Sequence, residues 1–238
     1  MIVDELPATG DVLFRWRSYV PLLLLPLFAL SVAGTRSPTP FRLEVLGFAV
    51  ALAGLLVRVF VIGAAPEGTS ARGTRRPAAE RLNISGAYSI VRHPLYLANT
   101  LMWLGCSMVS GTWFLPVIVL LLSFIYHERI AAREEAFLDT TFGEEFREWS
   151  RTVPAMVPNL AHYRPSTGSF QWRKVFIQES HGLFALCTTF FVLDAIQASL
   201  SVQTLLIDPR WASLFAFTAV MFVAAIVLKH SPAPEAKI

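Results

Sequence analysis

Polar and apolar positions fall into long separate blocks along this chain. Ser18–Thr35, Val45–Val57, Leu95–Tyr126, Gly182–Leu193 and Trp211–Leu228 carry no charged residue. Apolar runs of about 18 or more residues can cross a bilayer as a helix. Several such runs in 238 residues predict an all-α polytopic membrane bundle. The first span is expected at Tyr19–Gly34, after Asp4, Glu5 and Asp11; acidic flanks suit a retained span better than a cleaved leader. The second is expected at Val45–Ala64. Leu95–Tyr126, taken as one helix, would be about 48 Å long, against a bilayer core of about 30 Å. Ser110-Gly111-Thr112 therefore breaks it into a helical hairpin of two short spans. His181–Ser201 and Trp211–Leu228 complete a set of about six.

Composition agrees: 54% of residues are hydrophobic and 16% charged, against about 25% charged in soluble domains. The positive charges show which loops share a side. With six spans and a cytoplasmic N-terminus, the inside segments hold Arg15, Arg17, Arg72, Arg75, Arg76, Arg81, Arg92, Arg129, Arg133, Arg147, Arg151, Arg164, Arg173, Lys174, Lys229 and Lys237. The outside loops hold Arg36, Arg42 and Arg210. Basic residues concentrate on the cytoplasmic side of membrane proteins, so both termini are expected there. Arg58, inside the second span, is expected to snorkel to the interface. Asp194 sits in the fifth span, where a carboxylate must be hydrogen-bonded or functional. Cys106 and Cys187 lie in apolar runs, as small hydrophobes rather than metal ligands or a disulfide. No soluble basic domain is present to bind nucleic acid, and the net charge of +3 suits a lipid surface or anionic substrate. The chain divides into a two-span region (1–64), a core with a hairpin and cytoplasmic motifs (65–160), and a linker with two further spans (161–238).

Two cytoplasmic segments carry candidate chemistry. The first ends in Gly86-Ala87-Tyr88-Ser89-Ile90-Val91-Arg92-His93-Pro94-Leu95-Tyr96. Proline suits the first position of a helix, so a helix should start at Pro94 with His93 at its cap. That places an imidazole, a guanidinium and the positive end of a helix dipole at the membrane surface. Headgroup anchoring and anion binding both fit. The second opens with His127-Glu128-Arg129 and runs through Arg133, Glu134 and Glu135 as a helical continuation of the fourth span. Arg129 and Arg133 share one face, His127 and Glu134 another. Phe142, Phe146 and Trp149 make an apolar stripe opposite charged residues, as in a helix lying on a membrane.

Together the two blocks, GAYSIVRHPLY and REEAFLDTTFGEEFREWSRTVPAMVP, joined by one hairpin, resemble the isoprenylcysteine carboxyl methyltransferase family of integral membrane enzymes. The resemblance covers about residues 80–160. It implies a helical cradle for S-adenosylmethionine on the cytoplasmic side, held by Glu80, Arg81, Leu82 and Asn83 largely through backbone. Tyr88, His93, Tyr96 and Glu134 would join them, with Glu135 beside Glu134. An arginine of the family addresses the methyl acceptor. Its position here is Ile130, so Arg92 with Arg129 or Arg133 is expected to hold the acceptor. The fragment from Pro66 to Gly105 also looks similar to bacterial members that methylate the phosphate of lipid A. Arginine dominance and short loops point to a bacterial inner membrane. The expected reaction is methyl transfer to a membrane lipid or lipid-linked acceptor, with an anionic oxygen favoured over an amine. A nicotinamide-binding sterol reductase and a non-catalytic scaffold of the same fold are the alternatives.

Overall fold

The computed structural model describes residues 10–17, 19–35, 38–66, 69, 79–166 and 168–231. Arg36, Arg72, Arg75, Arg76 and Lys237, used above to assign sidedness, lie outside them. Seven helices are bounded within the described residues: α1 (Leu24–Gly34), α2 (Phe41–Ala64), α3 (Pro94–Met108), α4 (Phe114–Phe142), α5 (Glu144–Thr152), α6 (Trp172–Val202) and α7 (Pro209–His230). Residues 10–16 are also helical.

Among the described residues, four helices, α2, α4, α6 and α7, are long and apolar enough to cross a membrane. Six spans were expected, and the first and third fall short. The 11 residues of α1 follow a 3₁₀ turn at Val20–Leu23. The 15 residues of α3 reach about 22 Å at 1.5 Å per residue. The hairpin break is where the sequence placed it, with Gly111 at a φ of 67°, a value that glycine adopts without cost. The Thr39 hydroxyl closes this end by donating to the Val109 carbonyl at 2.6 Å.

Helices α2 and α3 lie in backbone contact. Gly47, Ala51 and Gly54 form a small-residue stripe facing Ala98 and Gly105. A Cβ on Gly47 would stand 2.7 Å from the Gly105 carbonyl oxygen, and one on Gly54 2.5 Å from that of Ala98. Such stripes let membrane helices approach where no hydrophobic force distinguishes helix from lipid. Next to this seam, Phe28, Val32, Cys106, Leu186, Cys187, Phe190 and Trp211 form the apolar core. Both cysteines are free and buried. Asp194 is buried, and its Oδ2 has no hydrogen-bond partner among the described residues, so the expected interhelical bond is not met at this oxygen.

Arg58 does not snorkel. It makes a two-pronged ion pair with Glu179 of α6 (2.7 and 2.9 Å) and donates to Asn99 of α3 at 2.7 Å. Asn99 and Glu179 lie 41 and 121 residues away, so local sequence favoured the interface, whereas tertiary partners keep the guanidinium inside. Helix α5 departs from expectation too. Its apolar stripe turns inward, with Phe146 buried and Trp149 Nε1 donating to the Tyr88 carbonyl at 3.1 Å.

Candidate active site

A cavity of about 540 Å³ opens between α2, α3, α4, the start of α6 and the loop preceding α3. The loop is shaped by backbone pairing. Gly86, with a φ of 58°, forms an antiparallel bridge with Arg164. The Arg92 and His93 amides donate to the Pro154 and Ala155 carbonyls at 2.8 and 3.2 Å, and Asn159 N donates to the Ile90 carbonyl at 2.8 Å. The segment after α5 therefore straps down the loop. It then reaches the end of α2, where Gln171 N donates to the Gly63 carbonyl at 2.9 Å.

His93 caps α3 with Pro94 at the first helical position, as the sequence predicted. Its imidazole lies between two carboxylates of α4: Nε2 is 2.8 Å from Glu135 Oε1, and Nδ1 is 3.6 Å from Glu134 Oε2. Burial disfavours its imidazolium, but Glu134 and Glu135 outweigh that cost, so His93 titrates above the ordinary histidine value.

Arg92 lines the cavity, yet its guanidinium is engaged. It donates to both oxygens of Glu135 (2.8 and 3.3 Å) and, through Nη1, to the Ser150 and Val153 carbonyls (2.7 and 2.9 Å). Four of its five N–H groups thus bind the end of α5 to α4. That geometry suits a positioning residue better than an anion clamp.

Of the residues expected around the cofactor, Arg81, Leu82, Asn83, Tyr88, His93, Tyr96 and Glu134 line this cavity, whereas Glu80 is exposed and Glu135 stands behind His93. Ile130 is in the wall, but Arg129 and Arg133 are not. The backbone of Arg129 packs against Gly10, and Arg133 pairs with Asp11, so both hold the helical segment 10–16 rather than face an acceptor.

The cavity also collects residues that the sequence did not assign to a site: Arg17, Arg58, Asn99, Trp103, Tyr126, Trp149, Lys174 and Gln178. Helical spacing could have disclosed two of them, since Asn99 and Trp103 continue the face of α3 that carries His93 and Tyr96. Four rings stack in order along this wall. His93 and Tyr96 have centroids 5.3 Å apart, Tyr96 and His127 4.9 Å, and His127 and Trp103 5.1 Å, all within 20° of parallel.

A family model described as phospholipid methyltransferase matches residues 43–145, from α2 to the start of α5. Residues 43–145 of the chain are similar to this family. Three curated proteins are similar to the chain. The cobalt-zinc-cadmium resistance protein CzcN of Cupriavidus metallidurans is 30% identical over 128 residues, 54% of this chain and 53% of that protein. The nickel-cobalt-cadmium resistance protein NccN of Alcaligenes xylosoxydans xylosoxydans is 30% identical over 93 residues, 37% of this chain and 43% of that protein. The protein-S-isoprenylcysteine O-methyltransferase of Schizosaccharomyces pombe is 29% identical over 73 residues, 31% of each chain, and carries the resemblance drawn from the motifs. The chain spans about half, or less, of the length of these relatives. No solved structure matches it. Within the phospholipid methyltransferase segment lie Arg58, Arg92, His93, Tyr96, His127 and Glu134. Arg17, Trp149, Lys174 and Gln178 reach the cavity from outside it.

Proposed function

We propose that this protein transfers a methyl group from S-adenosylmethionine to a membrane lipid or lipid-linked acceptor. One observation carries the reading: His93 and Glu134, from motifs about forty residues apart in sequence, meet at 3.6 Å in the wall of one cavity. About 540 Å³ lies within the range of small-molecule sites. The lining fits the donor's chemistry. A carboxylate, Glu134, suits an ammonium or sulfonium charge, and the faces of Tyr96, Trp103 and Trp149 attract cations or stack on a base. Backbone at Arg81–Asn83 supplies hydrogen-bonding groups for a nucleoside.

Bound there, S-adenosylmethionine would supply an electrophilic methyl group. The protein's own contribution is alignment and the exclusion of water. His93, Tyr88 and Glu134 hold the cofactor at the polar mouth. Arg92 keeps α5 and the following strap closed over it. The membrane-side half, walled by Tyr96, Trp103, Tyr126 and His127, receives the acceptor from the bilayer. The arginine distribution supports a cytoplasmic mouth and cytoplasmic termini, and two bacterial relatives favour a bacterial inner membrane.

Purified protein titrated with S-adenosylhomocysteine and with NADPH tests the reading. Binding of the first and not the second supports it, the reverse selects a reductase, and binding of neither leaves a scaffold. Membranes incubated with radiolabelled methyl donor should then yield one labelled lipid class.

A further inference from the structure

The strap after α5 has two sides. Its backbone is spent inward, on the loop before α3. Asn159 N donates to the Ile90 carbonyl at 2.8 Å, while Arg164 donates from its amide to the Ser89 hydroxyl and accepts from Gly86 N, each at 2.8 Å. Its apolar side chains turn outward. Leu160–His162 form a 3₁₀ turn capped by the Asn159 side-chain oxygen, which accepts from Ala161 N. Side chains three apart eclipse in such a turn, so Leu160 and Tyr163 share one direction. Val157, Leu160 and Tyr163 are 76%, 73% and 50% exposed, and Trp172, where α6 begins, is 71% exposed. Helix α5 buries Phe146 from its own apolar stripe, so it is the strap that presents an apolar row outside.

The end of the strap lies where long apolar helices stop. Gln171 donates from N and Nε2 to the Gly63 and Ala65 carbonyls at the end of α2. Arg173, in the first turn of α6, donates from Nη2 to the Leu228 and Ser231 carbonyls at the end of α7, at 2.8 and 2.9 Å. All three helices are long enough to cross a membrane, so these bonds mark one margin of the bilayer. Arg164 on the strap, and Arg173 and Lys229 at this margin, are exposed. Tyrosine and tryptophan favour the headgroup level, and an anionic leaflet attracts basic residues beside it. A two-fold contact between copies through this face would instead set its cations against one another.

We propose that the strap docks on the anionic headgroup layer of the adjoining leaflet, and that this docking holds the roof of the cavity closed. Val157, Leu160 and Tyr163 enter the layer, and Arg164 and Arg173 meet lipid phosphates. The route to the cavity is short. Leu160 follows Asn159 and Tyr163 precedes Arg164, the two residues whose backbone holds the loop, and Tyr88 of that loop lines the cavity. Lipid charge therefore acts on ligand affinity by favouring the closed roof. The consequence for the cofactor rests on the methyl-transfer reading, whereas the docking does not.

The test uses the full chain in nanodiscs of phosphatidylcholine, with and without phosphatidylglycerol. Nitroxide labels are placed on Leu160→Cys and, as a reference, on Glu145→Cys of the exposed face of α5, Cys106 and Cys187 being buried. With phosphatidylglycerol present, oxygen should relax the label at 160 more strongly than a water-soluble nickel chelate does, and the order should reverse at 145. Amide exchange in residues 86–93, without ligand, should slow in the same discs. Wild type should bind S-adenosylhomocysteine about fivefold more tightly there, the gain expected of one basic residue beside an anionic leaflet. Arg164→Gln and Leu160→Asp should each lose most of that gain, yet match wild type within twofold in phosphatidylcholine alone. A label at 160 reached more readily by the nickel chelate overturns the proposal. So does one shielded from both reagents, which would put a protein, such as a second copy, on the strap. Unchanged exchange in residues 86–93 overturns it too, as does a gain that survives in both variants. No binding of S-adenosylhomocysteine in either disc, with the label inserted and exchange slowed, sinks the methyl-transfer reading and leaves the docking standing.

Discussion

The two sides of the cavity are built on different principles. Its floor, where α2, α3 and α6 meet, rests on shape: a glycine and alanine seam between α2 and α3, pinned by a part-buried charge cluster of Arg58, Glu179 and Asn99. Its roof, residues 79–93 with α5 and the strap after it, rests on hydrogen bonds between loops, gathered around Arg92, His93 and Glu135. A close-packed seam tolerates no added volume, whereas a hydrogen-bonded loop can open and reclose. The contrast gives the site one fixed side, at the helix seam, and one yielding side, at the loops.

The largest expected effect comes from breaking the floor's charge cluster. Glu179→Ala leaves the half-buried Arg58 without its carboxylate, and loss of one partner of a fully buried pair costs about 3–5 kcal/mol, an upper bound here. Thermal unfolding in detergent should show it, and Arg58→Met with Glu179→Leu should recover much of the loss. Next is the seam. Gly105→Val forces α2 and α3 apart and should cost about 1–3 kcal/mol, read by the same measurement. Equal stability of Gly105→Val and wild type would remove the distinction between floor and roof.

A roof substitution should act on the ligand rather than the fold. Arg92→Ala should weaken S-adenosylhomocysteine about tenfold, or about 1.4 kcal/mol, with little change in unfolding temperature and faster amide exchange in residues 150–155. The smallest effect concerns protonation. Because His93 titrates above its ordinary value, its ion pairs stabilise the fold fully below about pH 6.5, the unperturbed value. That contribution is lost as pH rises through the raised folded value. The stability gap between wild type and His93→Gln should therefore narrow from pH 6 to pH 9, and a constant gap would contradict this.

Much of this was legible in one dimension because it is periodic or local. The apolar blocks gave the helices, Gly111 the hairpin break, Pro94 the start of α3, and the two motifs several residues of one cavity wall. What escaped depends on partners far apart. Nothing near Arg58 announces Glu179, 121 residues on. Nor does anything near Arg92 show that the carbonyls of Ser150 and Val153 claim its donors. The count of about six spans is not confirmed by helix length: a hydrophobic stretch shows that a segment prefers lipid, but not whether it traverses the whole membrane. Tyr96 and Glu134 were anticipated through a family pattern, whereas His127 was placed on the face of Glu134 by helical spacing alone and given no role.

That spacing is set by α4, a single helix of 29 residues from Phe114 to Phe142. Seven residues at 1.5 Å each separate His127 from Glu134 by about 10 Å along the axis, nearly in line. The helix is thus a ruler between the two ends of the chamber, and bilayers of different thickness leave its graduation unchanged. Inserting one residue between those marks would swing one of them about 100° around the axis, out of step with the other, while each kept its own neighbours.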